Sequence, residues 1–384
     1  MASIPSKVCI YAAGLNDHGQ LSVAQPSELD EHGQPTNRQN GRTDFVLSPT
    51  EVNFNGGNLV CIACGYDHSV FIYEDGSVYA VGDDHEFIIG TSEQTEYFTP
   101  VKVQLPAPIV WAACGWYYTC YLAADGTLYY CSKELRNEQY HIVEKEKLIY
   151  VTGNTKEPAA IDENGDIYFY QPSPKAAGQK VHLPRPVYDL VTCKKFNLAL
   201  TVDHVVYGNK KLNNNSSQFA PIIDLQGIAG RQIFGYFQFA GFLSEDGTVY
   251  FYGDNNYGQL AIGQSHTRNT KFIKVASLPE QVQIMAVGQS HSAFITESGD
   301  LYTCGYNNQG QLMINSKEDQ INPIKTTIEK ATNVICGDNF TFVTVGIPPF
   351  VHPGMKHFKI LPQAQNDIPN VEALLDFLHF SKNF

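Results

Sequence analysis

Short apolar runs alternate with tight polar turns over most of this chain. Residues 69–73 and 78–81 are rich in β-branched and aromatic side chains, as strands are, and Asp75-Gly76 lies between them. Asp-Gly between two apolar runs is a hairpin turn, because Gly supplies the positive φ and Asp tolerates the left-handed region. The phrase Asp or Asn, Gly, any residue, aliphatic, Tyr returns at 125–129, 164–168 and 246–250. It returns loosely at 298–302 and in a degenerate form at 203–207. The turn position recurs about every 40 to 50 residues, the period of propeller blades. Another apolar run precedes each hairpin, such as 59–64, 110–114 and 284–287. It ends on an anchor residue: Gly65, Gly115, Gly153, Cys193, Gly235 and Gly288.

A third element follows some hairpins. Gly-x-Asn-x-x-Gly-Gln-Leu occupies 14–21, 253–260 and 305–312. A Pro then introduces the next strand, as at Pro49, Pro100 and Pro323. Blades two, three and four lack the element, which predicts shorter and less regular blades there, and Asp83-Asp84-His85-Glu86 replaces it in blade one. With Gly337 the anchors number seven, but no Asp-Gly hairpin follows the last. The missing part lies at the start of the chain, where residues 8–21 form a strand and the third element with no first half. The expected fold is an all-β seven-bladed propeller over residues 1–346, closed by the N-terminal strand at 8–13 pairing beside 340–345. Closure removes exposed sheet edges. Residues 347–384 form a Pro-rich tail with a predicted helix, because Val371, Leu374, Leu375 and Leu378 recur at helical spacing behind an Asn370 N-cap. The polar stretch 22–48 is longer than any other third-to-outer connection and reads as a functional or disordered loop.

Three motifs in fixed order, repeated over about residues 8–346, resemble the regulator-of-chromosome-condensation repeat, whose fold is a seven-bladed propeller. The resemblance implies a binding surface on the loop face of the ring. In that family one face binds the small GTPase Ran and expels its nucleotide, and a His three residues after the anchor Gly is among the positions that matter. Here His68 and His291 hold that slot, whereas Tyr118, Lys156, Phe196, Gln238 and Phe340 hold it elsewhere. The plainer reading of the same two His residues is that they hydrogen-bond the turn of their own blade. The loop-face candidates are Asp67, His68, Asp83, Asp84, Trp116, Tyr117, Tyr118 and His291. The favoured function is protein–protein recognition as a scaffold or regulator, and the alternative is guanine-nucleotide exchange on a Ran-type small GTPase. A light-sensing reading, which in this fold needs several Trp residues, fails with Trp111 and Trp116 alone.

Bulk chemistry narrows this further. The formal net charge is −13 and no Lys/Arg run exists, only the pairs Lys194-Lys195 and Lys210-Lys211, which argues against direct nucleic-acid binding. No phosphate-loop, nucleophile-elbow or zinc-protease motif occurs, so neither an enzyme class nor a cofactor is implied. Cys61 and Cys64 form a Cys-x-x-Cys, but Cys114 and Cys336 hold the same slot as Cys64 before their anchors, which reads as packing rather than a metal site. Nine Cys residues, no signal core and no spanning apolar run lead to the expectation of a reduced cytoplasmic or nuclear protein, monomeric and away from membranes.

Overall fold

The computed structural model describes residues 8–23, 45–52 and 57–360, apart from residues 86, 92, 94, 136–138, 144–146, 154–156, 171–177, 211 and 213–214. The first two strands, β1 (Cys9–Leu15) and β2 (Phe45–Glu51), belong to the last blade. Blade one is β3 (Leu59–Cys64), β4 (His68–Tyr73), β5 (Val78–Asp83) and β6 (Glu96–Val103). Blade two is β7 (Ile109–Cys114), β8 (Tyr118–Ala123), β9 (Leu128–Ser132) and β10 (His141–Val143). Blade three is β11 (Leu148–Thr152), β12 (Ala159–Asp162), β13 (Ile167–Phe169) and β14 (Gln179–Val181). Blade four is β15 (Val187–Thr192), β16 (Asn197–Thr201), β17 (Val206–Lys210) and β18 (Ser216–Pro221). Blade five is β19 (Gly230–Tyr236), β20 (Phe239–Ser244), β21 (Val249–Asn255) and β22 (Thr267–Lys274). Blade six is β23 (Val282–Val287), β24 (His291–Thr296), β25 (Leu301–Gly305) and β26 (Gln320–Lys325). Blade seven joins β27 (Ala331–Cys336) and β28 (Phe340–Val345) to β1 and β2.

The ring closes as the sequence predicts. β1 lies antiparallel to β28, with Cys9 opposite Val345 and Gly14 opposite Phe340. The stretch read as a loop from 22 to 48 ends earlier than expected, because Phe45 already starts β2; residues 24–44 lie outside the described residues. Pro49, Pro100 and Pro323 sit inside the outermost strands β2, β6 and β26 rather than before them. Proline lacks a ladder donor, so an outer edge is where a sheet tolerates it.

Seven apolar clusters form the core, one at each blade interface. The pair of blades one and two, for example, packs Val70, Ile72 and Ala80 against Ala112, Tyr121 and Cys131. Closure between blades seven and one packs Ile10, Phe340 and Phe342 against Leu59, Phe71 and Val81. Second strands are buried along their whole length, as in β4, β8 and β24. Both faces of each blade meet a neighbour, so these strands read as continuous apolar runs instead of alternating ones. All nine Cys residues are buried free thiols, and burial pushes the Cys61 thiol up to about 12. Every inner strand carries a bulge at its second residue, as between Leu59 and Cys61, Ile109 and Trp111, and Val187 and Asp189. A bulge bends its strand and re-aims side chains, and here it recurs where each inner strand enters the ring. No helix among the described residues is long and apolar enough to cross a membrane.

The tail holds a helix that the sequence did not announce: Pro353 opens a short α1 (Pro353–His357), capped by His352. Pro fits the first helical turn because its missing N–H would be unpaired there anyway. The predicted helix at 371–378 lies outside the described residues.

Candidate functional site at the loop end of the ring

Two sets of connections meet at one end of the ring: the anchor turns between inner and second strands, and the connections from third to outer strands. The anchor glycine makes room for the ring three residues later. A Cβ on Gly65 would lie 2.3 Å from His68 Cε1, and one on Gly288 would lie 2.2 Å from His291 Cε1. Gly115 and Gly337 do the same for Tyr118 and Phe340. The ring then reaches the following blade. His68 Nε2 is 2.8 Å from Thr119 Oγ1, and His291 Nε2 is 2.9 Å from Thr341 Oγ1.

This geometry corrects part of the predicted contact set. His68, His291 and Tyr118 are almost fully buried, at 1%, 0% and 2% exposure. They fasten one blade to the next rather than capping their own turn or facing a partner. Burial holds both imidazoles neutral, lowering His68 to about 4 and His291 to about 3. Replacing both with Ala is therefore a change in stability. Asp84 is also interior. Its carboxylate accepts from the backbone N–H of Ile89 at 2.7 Å and of Thr91 at 3.1 Å, and from the Thr91 hydroxyl. It does in blade one what the motif Asn does elsewhere: Asn16, Asn255 and Asn307 Oδ1 each accept from the motif Leu N–H at 2.9 Å. Burial still pushes Asp84 up to about 6, against these donors.

Asp67, Asp83, Trp116 and Tyr117 do lie at the accessible loop end, and the structure adds partners that sequence reasoning missed. Asp67 shares a cluster with Asp17, His18 and Glu96. His18 Nδ1 is 2.8 Å from Glu96 Oε1, and its Nε2 is 3.9 Å from both Asp67 Oδ2 and Asp17 Oδ2. Burial pulls His18 down, but Asp67, Asp17 and Glu96 outweigh it and raise its pKa. Burial lifts Asp67 to about 7, with His18 opposing and Asp17, Asp83 and Glu96 adding to the rise. Asp83 is held by His85, whose Nδ1 is 2.6 Å away. Asp17, His18 and Asp67 are close enough together to ligate a cation, yet their contacts to one another already account for the arrangement.

Beside this acidic arc lies an aromatic strip. Trp116 stacks on Phe237 at 5.7 Å across the channel mouth and meets Tyr66 edge-on at 5.9 Å. Tyr117 is 44% exposed, with Lys133 Nζ 4.2 Å above its ring, and Lys194 Nζ stands 4.4 Å above Phe237. Beneath, Asp338 is pushed up to about 7 by burial, which Tyr236 and Trp116 partly offset. One end of the ring thus carries carboxylates on blades seven and one, lysines on blades two and four, and aromatic rings between them.

Comparison with known proteins agrees with the repeat pattern. The family descriptions for the regulator of chromosome condensation (RCC1) repeat match residues 59–87 and 282–311, and residues 75–122, 246–295 and 298–344. The matched stretches are RCC1 repeats. A bovine (Bos taurus) relative, the secretion-regulating guanine nucleotide exchange factor, is 21% identical over 326 residues, which cover 81% of this chain and 62% of that protein. The chain thus spans less than two thirds of that relative's length. Among solved structures, human WBSCR16 superposes with a TM-score of 0.75 at 17% identity, over 90% of this chain and 100% of that one. Prp20p of Saccharomyces cerevisiae gives 0.72 at 14% identity, over 92% and 93%. These likenesses establish the fold.

Within the RCC1-repeat ring, a sequence signal for the missed residues does exist. Asp17 and His18 occupy the second and third x positions of Gly-x-Asn-x-x-Gly-Gln-Leu, and Tyr66 and Asp338 directly follow anchor glycines. Turn geometry asks nothing of these positions, so Asp17, His18 and Tyr66 stay partly exposed at the loop end while Asp338 is buried beneath them.

Proposed function

We propose that this RCC1-repeat ring is a protein-recognition module, a scaffold or regulator that meets its partner through the loop end. The observation that carries the reading is the placement of exposed Tyr117, the Trp116–Phe237 stack and the Asp17–Asp67 acidic arc on one end of the ring. Aromatic rings flanked by charge are what protein contacts favour, and the buried His–Thr fasteners beneath hold these loops without using exposed groups. The test is a pull-down from native extract with the purified chain and with a Tyr117→Ala/Asp67→Asn variant. A partner retained by the first and lost at least tenfold by the second supports the loop end. Equal recovery by a folded variant sinks it.

The second reading is nucleotide exchange on a Ran-type small GTPase. It is favoured by the likeness to the bovine exchange factor and to Prp20p, described for its binding to Gsp1p and histones. With His68 and His291 buried, any exchange must rest on accessible groups such as Asp67, Asp83 and Tyr117. The measurement is release of a fluorescent nucleotide from Ran-type GTPases; rates unchanged by the protein remove this reading.

A further inference from the structure

At the opposite end of the ring, where the Asp-Gly hairpins lie, the chain's own tail fills the mouth of the central channel. Asn333 ties the tail down first: its Nδ2 donates to the Pro348 carbonyl at 3.1 Å and its Oδ1 accepts from the Phe350 N–H at 2.6 Å. His352 then enters an aromatic cage. Its ring centroid is 4.5 Å from Tyr150, 6.3 Å from Trp111 and 6.4 Å from Tyr188, the last nearly parallel at 10°. These three rings come from the inner strands of blades three, two and four. Only 4% of His352 stays exposed.

The turn that follows is fitted closely. His352 Nδ1 accepts from Met355 N–H at 3.3 Å and caps α1. Gly354 lies so near blade four that a Cβ would stand 2.3 Å from the Tyr188 carbonyl oxygen. Met355 is buried in the cluster shared by blades four and five, with Val351, Phe358 and Ile360 against the same cluster. His357 Nε2 lies 3.0 Å from the Glu163 carbonyl oxygen of blade three. One atom is left over. His352 Nε2 is buried without a hydrogen bond, 3.9 Å from Asp189 Oδ1.

The anatomy is that of a peptide seated in a pocket: a ring anchor, one helical turn, and a residue whose side chain the wall forbids. The strands of the pocket wall pair within their own blades and none pairs with the tail. The described part of the tail, to Ile360, joins no sheet and reaches its seat through Pro348-Pro349. A segment held by few side chains opens more easily than a blade. We propose that the hairpin-end mouth of the channel is a peptide-binding site, occupied in cis by residues 350–358 and able to take a partner segment of the same chemistry: an imidazole or other flat ring followed by Pro-Gly and an apolar residue in one helical turn. Tethering gives the cis segment a high effective concentration, so the native chain binds such a peptide only in competition with its own tail.

The test uses the full chain and a fluorescein-labelled peptide of residues 349–360. Gly354→Val in the protein puts a branched side chain against the Tyr188 carbonyl and unseats the tail. Hydrogen exchange at 351–358 should rise, and the variant should bind the wild-type peptide at least tenfold more tightly than the wild-type protein does. A peptide carrying the same Gly354→Val change should not bind. His352→Ala in the protein removes the anchor without adding bulk, and should behave the same way if the first variant melts without cooperativity. An unseated tail with no peptide binding overturns the proposal, as does a Gly354→Val chain whose 351–358 amides stay as protected as the wild type's. Loop-end binding is read separately by the pull-down, which this substitution leaves unaffected.

Discussion

Among the described residues, blades one, five, six and seven close on a side-chain hub, buried in all but blade seven, and blades two and three show none. In the first group Asp84, Asn255, Asn307 or Asn16 gathers the third-to-outer connection around one side chain. In blades five, six and seven the motif Gln adds a second bond, its Oε1 accepting from Tyr257, Gln309 or His18 N–H at 3.0 to 3.1 Å. Without a hub, β10, β13 and β14 shrink to three residues each. Blade four is intermediate: Asn209 Oδ1 accepts from Asn197 N–H at 3.0 Å, and β18 keeps six residues. The family matches fall within 59–122 and 246–344, so they take in blade one, the first two strands of blade two, and the run from β21 in blade five to β28 in blade seven. The repeat motif is therefore mainly a recipe for one buried connection. Where it is absent, the seven-fold ring survives on its interface clusters, because inner and second strands carry most of the packing.

Removing residues 1–14 should break the comparison most severely, since it takes β1 from between β28 and β2 and opens the best-hubbed side of the ring. Thermal melts followed by circular dichroism should lose cooperativity, and an unchanged midpoint would contradict closure. Next, Asn307→Ala should cost about 2 to 4 kcal/mol, because it strands the buried Leu312 N–H and Ser316 carbonyl together. Asp84→Asn keeps the size but turns one of two accepting oxygens into a donor that faces the Ile89 or Thr91 N–H, and should cost about 1 to 3 kcal/mol. Urea titrations measure both, and an unchanged midpoint for Asp84→Asn would mean that blade one uses a different hub.

A smaller effect separates the fasteners from the hubs. Thr341 spends its hydroxyl proton on the Gln311 carbonyl at 2.9 Å, so His291 Nε2 must be the donor to Thr341, and Nδ1 is left buried and bare. Burial disfavours the charged ring and lowers the folded pKa to about 3, while the unfolded value is near 6.5. The unfolded chain alone takes up protons as pH drops through 6.5, so this residue removes about 2 kcal/mol of stability between pH 7 and pH 5. Phe340 fills the same slot in blade seven, so His291→Phe should fold at pH 7 and lack that part of the acid loss. An identical pH slope in both proteins would refute the argument. Least of all, Tyr117→Ala should change stability by under about 0.5 kcal/mol while weakening partner capture; a large drop in midpoint would show that Tyr117 belongs to the core.

The candidate site was only half legible in the residues. Asp67, Asp83, Trp116 and Tyr117 lie at the accessible end, as their place beside turns suggested. His68, His291, Tyr118 and Asp84 carry equally conspicuous side chains and are interior, because the distance from a turn to solvent depends on the neighbouring blade. The acidic arc joins Asp17 and His18 to Asp67 and Glu96, residues that only ring closure brings together.

Blade number, hairpin positions, anchor glycines and the closing strand were written in local chemistry: positive-φ turns, apolar runs and the spacing between them. Those are short-range demands, and a single chain states them openly. Tertiary structure alone decided which polar groups the interfaces bury, which carboxylates share one imidazole, and where the tail comes to rest. Each depends on atoms from blades far apart in the chain, and the residues at 352–355 show no periodicity that would announce a seat in the channel. Only the completed ring has a channel for them to enter.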